Sequence, residues 1–119
     1  MPDPQKQEPA VVVGKAYDLV LWLYPKVERF PRSYRMSLGR ELTTNGLELL
    51  MSLVQSAYAS DKAGLLQKAG LKANTLRYLL RLAKDLHIIT ADSYGYSTGE
   101  VEEIGRMVGG WYRSVGKRA

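Results

Sequence analysis

Cysteine is absent from the chain, so a disulfide framework, thiolate chemistry and cysteine-built metal sites are all excluded. The single histidine, His87, has no Glu-x-x-His setting, which removes a ferritin-type di-metal site. It lies near the expected end of a helix, where an imidazole can interact with free carbonyls. No glycine-rich phosphate loop is present, because the glycines of the last third sit in a helical pattern. Asp61, Asp85 and Asp92 are scattered, and no spacing pairs carboxylates for acid–base work. No apolar run approaches the ~18 residues needed to span a bilayer. Met1 to Pro9 is polar and holds three prolines, without the basic and apolar regions of a signal peptide. A cytoplasmic protein is the expectation. Strand-like alternation is missing, and no proline follows Pro31. What remains is an all-α chain that calls for no cofactor.

The 119 residues are enough for one domain and one core. A formal charge of +5 and a pI of about 9.5 fit an anionic partner, and equally fit simple solubility. Residues 1–10 read as a disordered lead-in, and residues 11–119 as the folded domain. Ala16, Leu19, Leu23, Val27 and Phe30 repeat at helical spacing from a start near Val11 or Val12. Pro25 predicts a kink near Leu21 to Tyr24, and Pro31 ends the segment. Arg32 to Met36 form a basic connector, and Ser37 is the expected N-cap of a helix over Leu38 to Ala59. Thr43 to Gly46 weaken its first half, so tertiary packing has to hold it.

After a break at Ser60-Asp61, a third helix is expected from Lys62 to His87 or Ile89. It carries two apolar faces. One holds Leu65, Ala69, Leu76, Leu80 and Ala83; the other holds Leu71, Tyr78, Leu82 and Ile89. A lone bundle needs only one such face per helix, so the second points to another subunit or to one very broad face. Thr90 to Tyr96 read as a turn, and Ser97-x-x-Glu100 as a capping box, with Glu102 and Glu103 at the positive end of the helix dipole. Val101, Ile104, Val108, Trp111 and Val115 form the apolar stripe of the last helix. Gly105, Gly109 and Gly116 line another side, where close helix approach would explain them. Four helices joined by short turns predict an antiparallel up-down-up-down four-helix bundle.

Phosphate binding needs cations gathered on one surface. Arg77, Arg81 and Lys84 follow i, i+4, i+7 spacing and share one stripe. Arg106, Arg113 and Lys117 form a second stripe, and Arg32 with Arg35 a basic turn. The guanidinium fork suits phosphate; the competing reading is a solvated face, and it is preferred for Lys62, Lys68 and Lys72. Nothing resembles a base-reading module, so the expected ligand is the RNA or DNA backbone with weak sequence preference. Tyr34, Tyr94 and Tyr96 are candidates for stacking on bases, with packing the favoured alternative.

Leu23-Tyr24-Pro25, Phe30-Pro31-Arg32, Leu76-Arg77-Tyr78-Leu79-Leu80-Arg81 and Gly105-Arg106-Met107-Val108-Gly109-Gly110-Trp111, in this order, resemble the accessory variability determinant proteins of diversity-generating retroelements. Those proteins are similar to the four-helix bundles encoded by intervening sequences in bacterial 23S rRNA genes. The resemblance covers roughly residues 16–118. It implies a homopentameric barrel of bundles, nucleic-acid binding, and association with the retroelement reverse transcriptase in mutagenic copying of a template repeat. It also implies that Arg77 and Arg81, and then Arg113 and Lys117, occupy basic positions of the family. The acidic residues of the last helix depart from that basic pattern. Two other readings stand beside this one. An oligomeric protein-binding scaffold of the intervening-sequence type would sit beside a 23S rRNA gene rather than a reverse transcriptase. A small bundle enzyme would need a bound metal or a ligand pocket.

Overall fold

The computed structural model describes the backbone of residues 4–116 and side chains from residue 10 to 116. Helix α1 runs Pro4–Glu28, α2 Arg32–Tyr34, α3 Arg40–Tyr58, α4 Ala63–Asp85 and α5 Ala91–Gly116, with a π-helical segment at Arg35–Gly39 joining α2 to α3. The four long helices pack antiparallel as a bundle. α1 lies on α3 and α5, α4 lies on α3 and α5, and the α1–α5 seam is the thinnest of the four. Among the described residues no helix is long and apolar enough to cross a membrane.

The core is what the periodicity marks out. Ala16, Leu19 and Leu23 from α1, Leu42, Leu49 and Leu53 from α3, Leu76, Leu80 and Ala83 from α4, and Val101, Ile104 and Val108 from α5 are buried together. Leu66 is buried where the expected face held Leu65. Buried polar groups are answered within their own helices. Ser52 Oγ donates to the Glu48 carbonyl at 2.8 Å, Ser56 Oγ to Ser52 at 2.7 Å, and Ser97 Oγ to Ser93 at 2.7 Å. Asn45, the locally weak point of α3, donates to the Glu41 carbonyl at 2.7 Å and accepts from Lys72 Nζ at 3.4 Å. No buried side-chain polar atom among the described residues lacks a partner, so none carries a desolvation penalty.

Several boundaries differ from the sequence expectations. α1 begins at Pro4 rather than near Val11, and it is continuous through Pro25. The basic connector is helical, and Ser37 is not an N-cap. Its hydroxyl points back to the Ser33 and Tyr34 carbonyls at 3.5 and 3.4 Å, as serines inside helices do. Neither Ser60 nor Asp61 caps α4, whose N-cap position is Lys62; Lys62 Nζ instead reaches the Ser56 and Ala59 carbonyls at the end of α3, at 2.7 and 2.8 Å. Thr90 to Tyr96 are not a turn. α5 starts at Ala91, and Thr90 Oγ1 accepts from the Ser93 amide at 3.1 Å, so Thr90 is the cap and Ser97 is a buried helix residue. Glu102 and Glu103 therefore stand well inside the helix rather than at its positive end.

The glycines are redistributed too. A Cβ at Gly105 would meet only Ala73 at 4.0 Å, and one at Gly116 would meet nothing. The close approaches occur at Gly39, where a Cβ would fall 2.7 Å from Val27 Cγ1, and at Gly46, 2.8 Å from Leu23 Cδ1. These two residues let the α3 side of the bundle close onto α1.

Candidate nucleic-acid interface

α4 carries Arg77, Arg81 and Lys84 beside its buried row Ala73, Leu76, Leu80 and Ala83, so packing of that row fixes where the cations emerge. They emerge at the seam with α5. Arg77, Tyr78 and Arg81 line an open depression together with Tyr94, Thr98 and Glu102 of α5. Lys84 Nζ lies 5.0 Å from the centre of the Tyr94 ring. Among the described residues, none of the three cations is held in a close ion pair. Arg77 donates to Asn74 Oδ1 at 3.5 Å, and Arg81 Nε stands 3.9 Å from Asp85 Oδ2 with both side chains well exposed. An exposed pair of that length contributes little and leaves the guanidinium free to donate elsewhere. By contrast, Lys15 pairs with Glu103 at 3.3 Å, and Lys72 is engaged by Glu48.

The remaining basic candidates fall in three places. Arg32 and Arg35 lie beyond the end of α1. That end adjoins the start of α5, because Lys26 Nζ donates to Ser93 Oγ at 3.1 Å. They thus share an end of the bundle with Lys84 and Tyr94. Arg35 donates to the Phe30 carbonyl at 3.4 Å. Arg106 is exposed one turn beyond Glu102. Arg113 is exposed further along, lying back over Gly109, where a Cβ would be 3.4 Å from its guanidinium. That region is the opposite end of the seam, marked by Gln67 Nε2 donating to Tyr112 Oη at 3.0 Å. Lys117 lies outside the described residues. The structure gathers Arg77, Arg81 and Lys84, brings Arg32 and Arg35 to the same end, and leaves Arg113 apart.

Thr98 and Glu102 belong to the depression and were missed in the sequence. Tyr94, Thr98 and Glu102 are spaced i, i+4, i+8, a signal hidden by starting the helix at Ser97 instead of Ala91. Tyr94 is packed partly against the core, and Tyr96 is exposed against Trp22 with ring centres 5.5 Å apart. Leu71, Tyr78 and Leu82 form an exposed row on the outer side of α4. Ile89 does not join them. It packs against the core past the helix end, where the chain turns back.

Further exposed apolar side chains lie elsewhere. Val20 and Leu23 meet Gly46 across the α1–α3 seam, and just outward stand Tyr17, Leu21 and Tyr24 on α1 and Leu47, Met51 and Tyr58 on α3.

The fold, an antiparallel helical bundle, is that of a solved protein of the S23 ribosomal protein family from Bacteroides thetaiotaomicron VPI-5482. The two superpose with a TM-score of 0.83 at 15% sequence identity, over 89% of this chain and 98% of that one. The sequence narrows this class. The bAvd-like family model matches residues 10–115, and the chain belongs to that family. The resemblance to accessory variability determinant proteins drawn from its motifs is thereby borne out. No curated protein matches the chain.

Proposed function

We propose that this bAvd-like protein is a non-enzymatic accessory factor of a diversity-generating retroelement. In this reading it binds RNA or DNA through the phosphate backbone and associates with the element's reverse transcriptase in mutagenic retrohoming. The observation that carries the binding half is the exposed row of Arg77, Arg81 and Lys84 at the α4–α5 seam, where the one ion pair among the described residues, Arg81 with Asp85, is long and exposed. Two guanidinium forks one helical turn apart match successive phosphate oxygens of a backbone. Family membership supports the polymerase half.

Self-association as a homopentamer belongs to the same proposal. A closed ring of more than two copies needs a heterologous contact, in which two different patches of each chain meet. The exposed row Leu71, Tyr78 and Leu82 on α4 and the apolar α1–α3 surface supply two separate patches. A five-fold ring would repeat the arginine row around its circumference.

The test is co-purification with a reverse transcriptase from a diversity-generating retroelement in the same genome, using wild type and Arg77→Glu/Arg81→Glu. The proposal expects the wild-type protein to bring down both polymerase and nucleic acid. The double variant is expected to lose the nucleic acid. Absence of any polymerase in the wild-type material would contradict it.

A further inference from the structure

We propose that the N-terminal half of α5 is a stacking platform for a single-stranded nucleic acid, with aromatic rings and cations on both of its flanks. This rests on the reading of the protein as a nucleic-acid binder and names the form of the ligand. On the α1 flank, Tyr96 is 51% exposed and leans on Trp22, ring centres 5.5 Å apart and planes at 45°. Lys26 Nζ sits 5.3 Å from the Trp22 ring centre and is held by Ser93. On the α4 flank, Tyr94 carries Lys84 at 5.0 Å and borders Arg77 and Arg81. Tyr94 and Tyr96 are two residues apart, so the helix sends them to opposite sides, about 200° apart.

The two flanks repeat one chemistry, an aromatic ring with a cation beside it: the Trp22 indole with Lys26 on one flank and the Tyr94 phenol with Lys84 on the other. A strand crossing α5 can lay bases on the rings while its phosphates meet Lys26 on one side and Arg77 and Arg81 on the other. A duplex keeps its base faces stacked inside, so it would use the cations and leave the rings idle. Stacking on aromatic faces tolerates any base, and it adds to affinity beyond what charge supplies. Glu102 in the same depression can accept N–H donors from base edges beside the phosphate contacts of Arg77 and Arg81.

The experiment compares a single-stranded oligothymidylate, a blunt DNA duplex and heparin, a polyanion without bases, at one ionic strength. Tyr96 is solvent-exposed, so Tyr96→Ala leaves the core intact, and Tyr96→Phe keeps the ring. Tyr96→Ala is expected to weaken single-strand binding roughly 5-fold or more, with duplex and heparin binding unchanged and Tyr96→Phe behaving as wild type. Single strand is expected to quench tryptophan fluorescence through Trp22, and heparin is not. Wild-type single-strand affinity in Tyr96→Ala, or an equal loss for all three ligands, would overturn the platform. If heparin binding still depends on Arg77 and Arg81 in that case, the phosphate reading stands and only the stacking fails. If none of the three ligands binds the wild-type protein, both fall.

Discussion

His87 has a φ of 61°, the one positive value among the described non-glycine residues. Its amide donates to the Lys84 carbonyl at 2.9 Å, and the next amide, of Ile88, donates to Ala83 at 2.8 Å. These are the two bonds of a Schellman ending, with histidine where glycine usually stands. The sequence located His87 near a helix end. It did not reveal the left-handed turn, because Leu86-His87-Ile88 lacks the glycine that announces one. His87→Gly is expected to raise stability by about 1 kcal/mol, and His87→Val to lower it by at least as much, measured by urea unfolding. A second residue-scale effect concerns Glu48. The hydrogen bond from Lys72, and then its charge, hold the Glu48 carboxyl below its ordinary value of 4.5. A carboxyl lowered in the folded state stabilises the protein above its unfolded pKa, and that contribution is lost as pH falls through the folded value. Thermal melts from neutral to acid pH should therefore show a smaller acid-induced loss in Glu48→Gln than in wild type.

At the scale of helices, the apolar rows were legible over most of their length, Leu65 in place of Leu66 apart. Leu42, Leu49 and Leu53, Leu76, Leu80 and Ala83, and Val101, Ile104 and Val108 all face the core as their spacing requires. The boundaries were not. Ser93 to Gly95 read as a turn by composition, yet they lie inside α5, because packing outweighs weak local propensity. The same holds for Thr43 to Gly46 in α3. Glycine's meaning also depended on neighbours the sequence does not show. Gly39→Ala would push a methyl against the buried Val27, and overpacking is expected to cost about 1 kcal/mol net of the gain in helix propensity. Gly14 lies in α1 with open space around it, so Gly14→Ala is expected to stabilise by about 0.5–1 kcal/mol. Chemical denaturation of the two variants should move in opposite directions. A shared sign would mean that α1 and α3 do not meet as closely as described.

For the whole molecule, the arginine row and the exposed apolar side chains of α1 and α3 lie on different elements. The arginine row follows the α4–α5 seam, while Tyr17, Leu21, Tyr24, Leu47, Met51 and Tyr58 are exposed on α1 and α3. Only the first was legible. The row in α4 stands out because its arginines interrupt leucines, whereas Tyr17, Leu21 and Tyr24 look, by spacing alone, like a widening of the α1 core face. Their exposure depends on how closely α3 approaches, which periodicity within one helix does not encode. The ring proposal predicts that Leu21→Glu/Met51→Glu and Tyr78→Glu/Leu82→Glu each give monomers. Mixed, the two variants should form a heterodimer, since each keeps the patch the other has lost. Light scattering checks this, and a wild-type mass for either variant alone would contradict it.

The central claim is that Arg77 and Arg81 contact nucleic-acid phosphates. Its most direct test is equilibrium binding of one single-stranded RNA to wild type and Arg77→Glu/Arg81→Glu across a salt series, with melting curves to show that both are folded. The account predicts a steep fall of wild-type affinity with salt. For the double variant it predicts loss of most binding at physiological ionic strength and a log–log slope shallower by about 1 or more. Equal affinity and equal slope in the two proteins would contradict it.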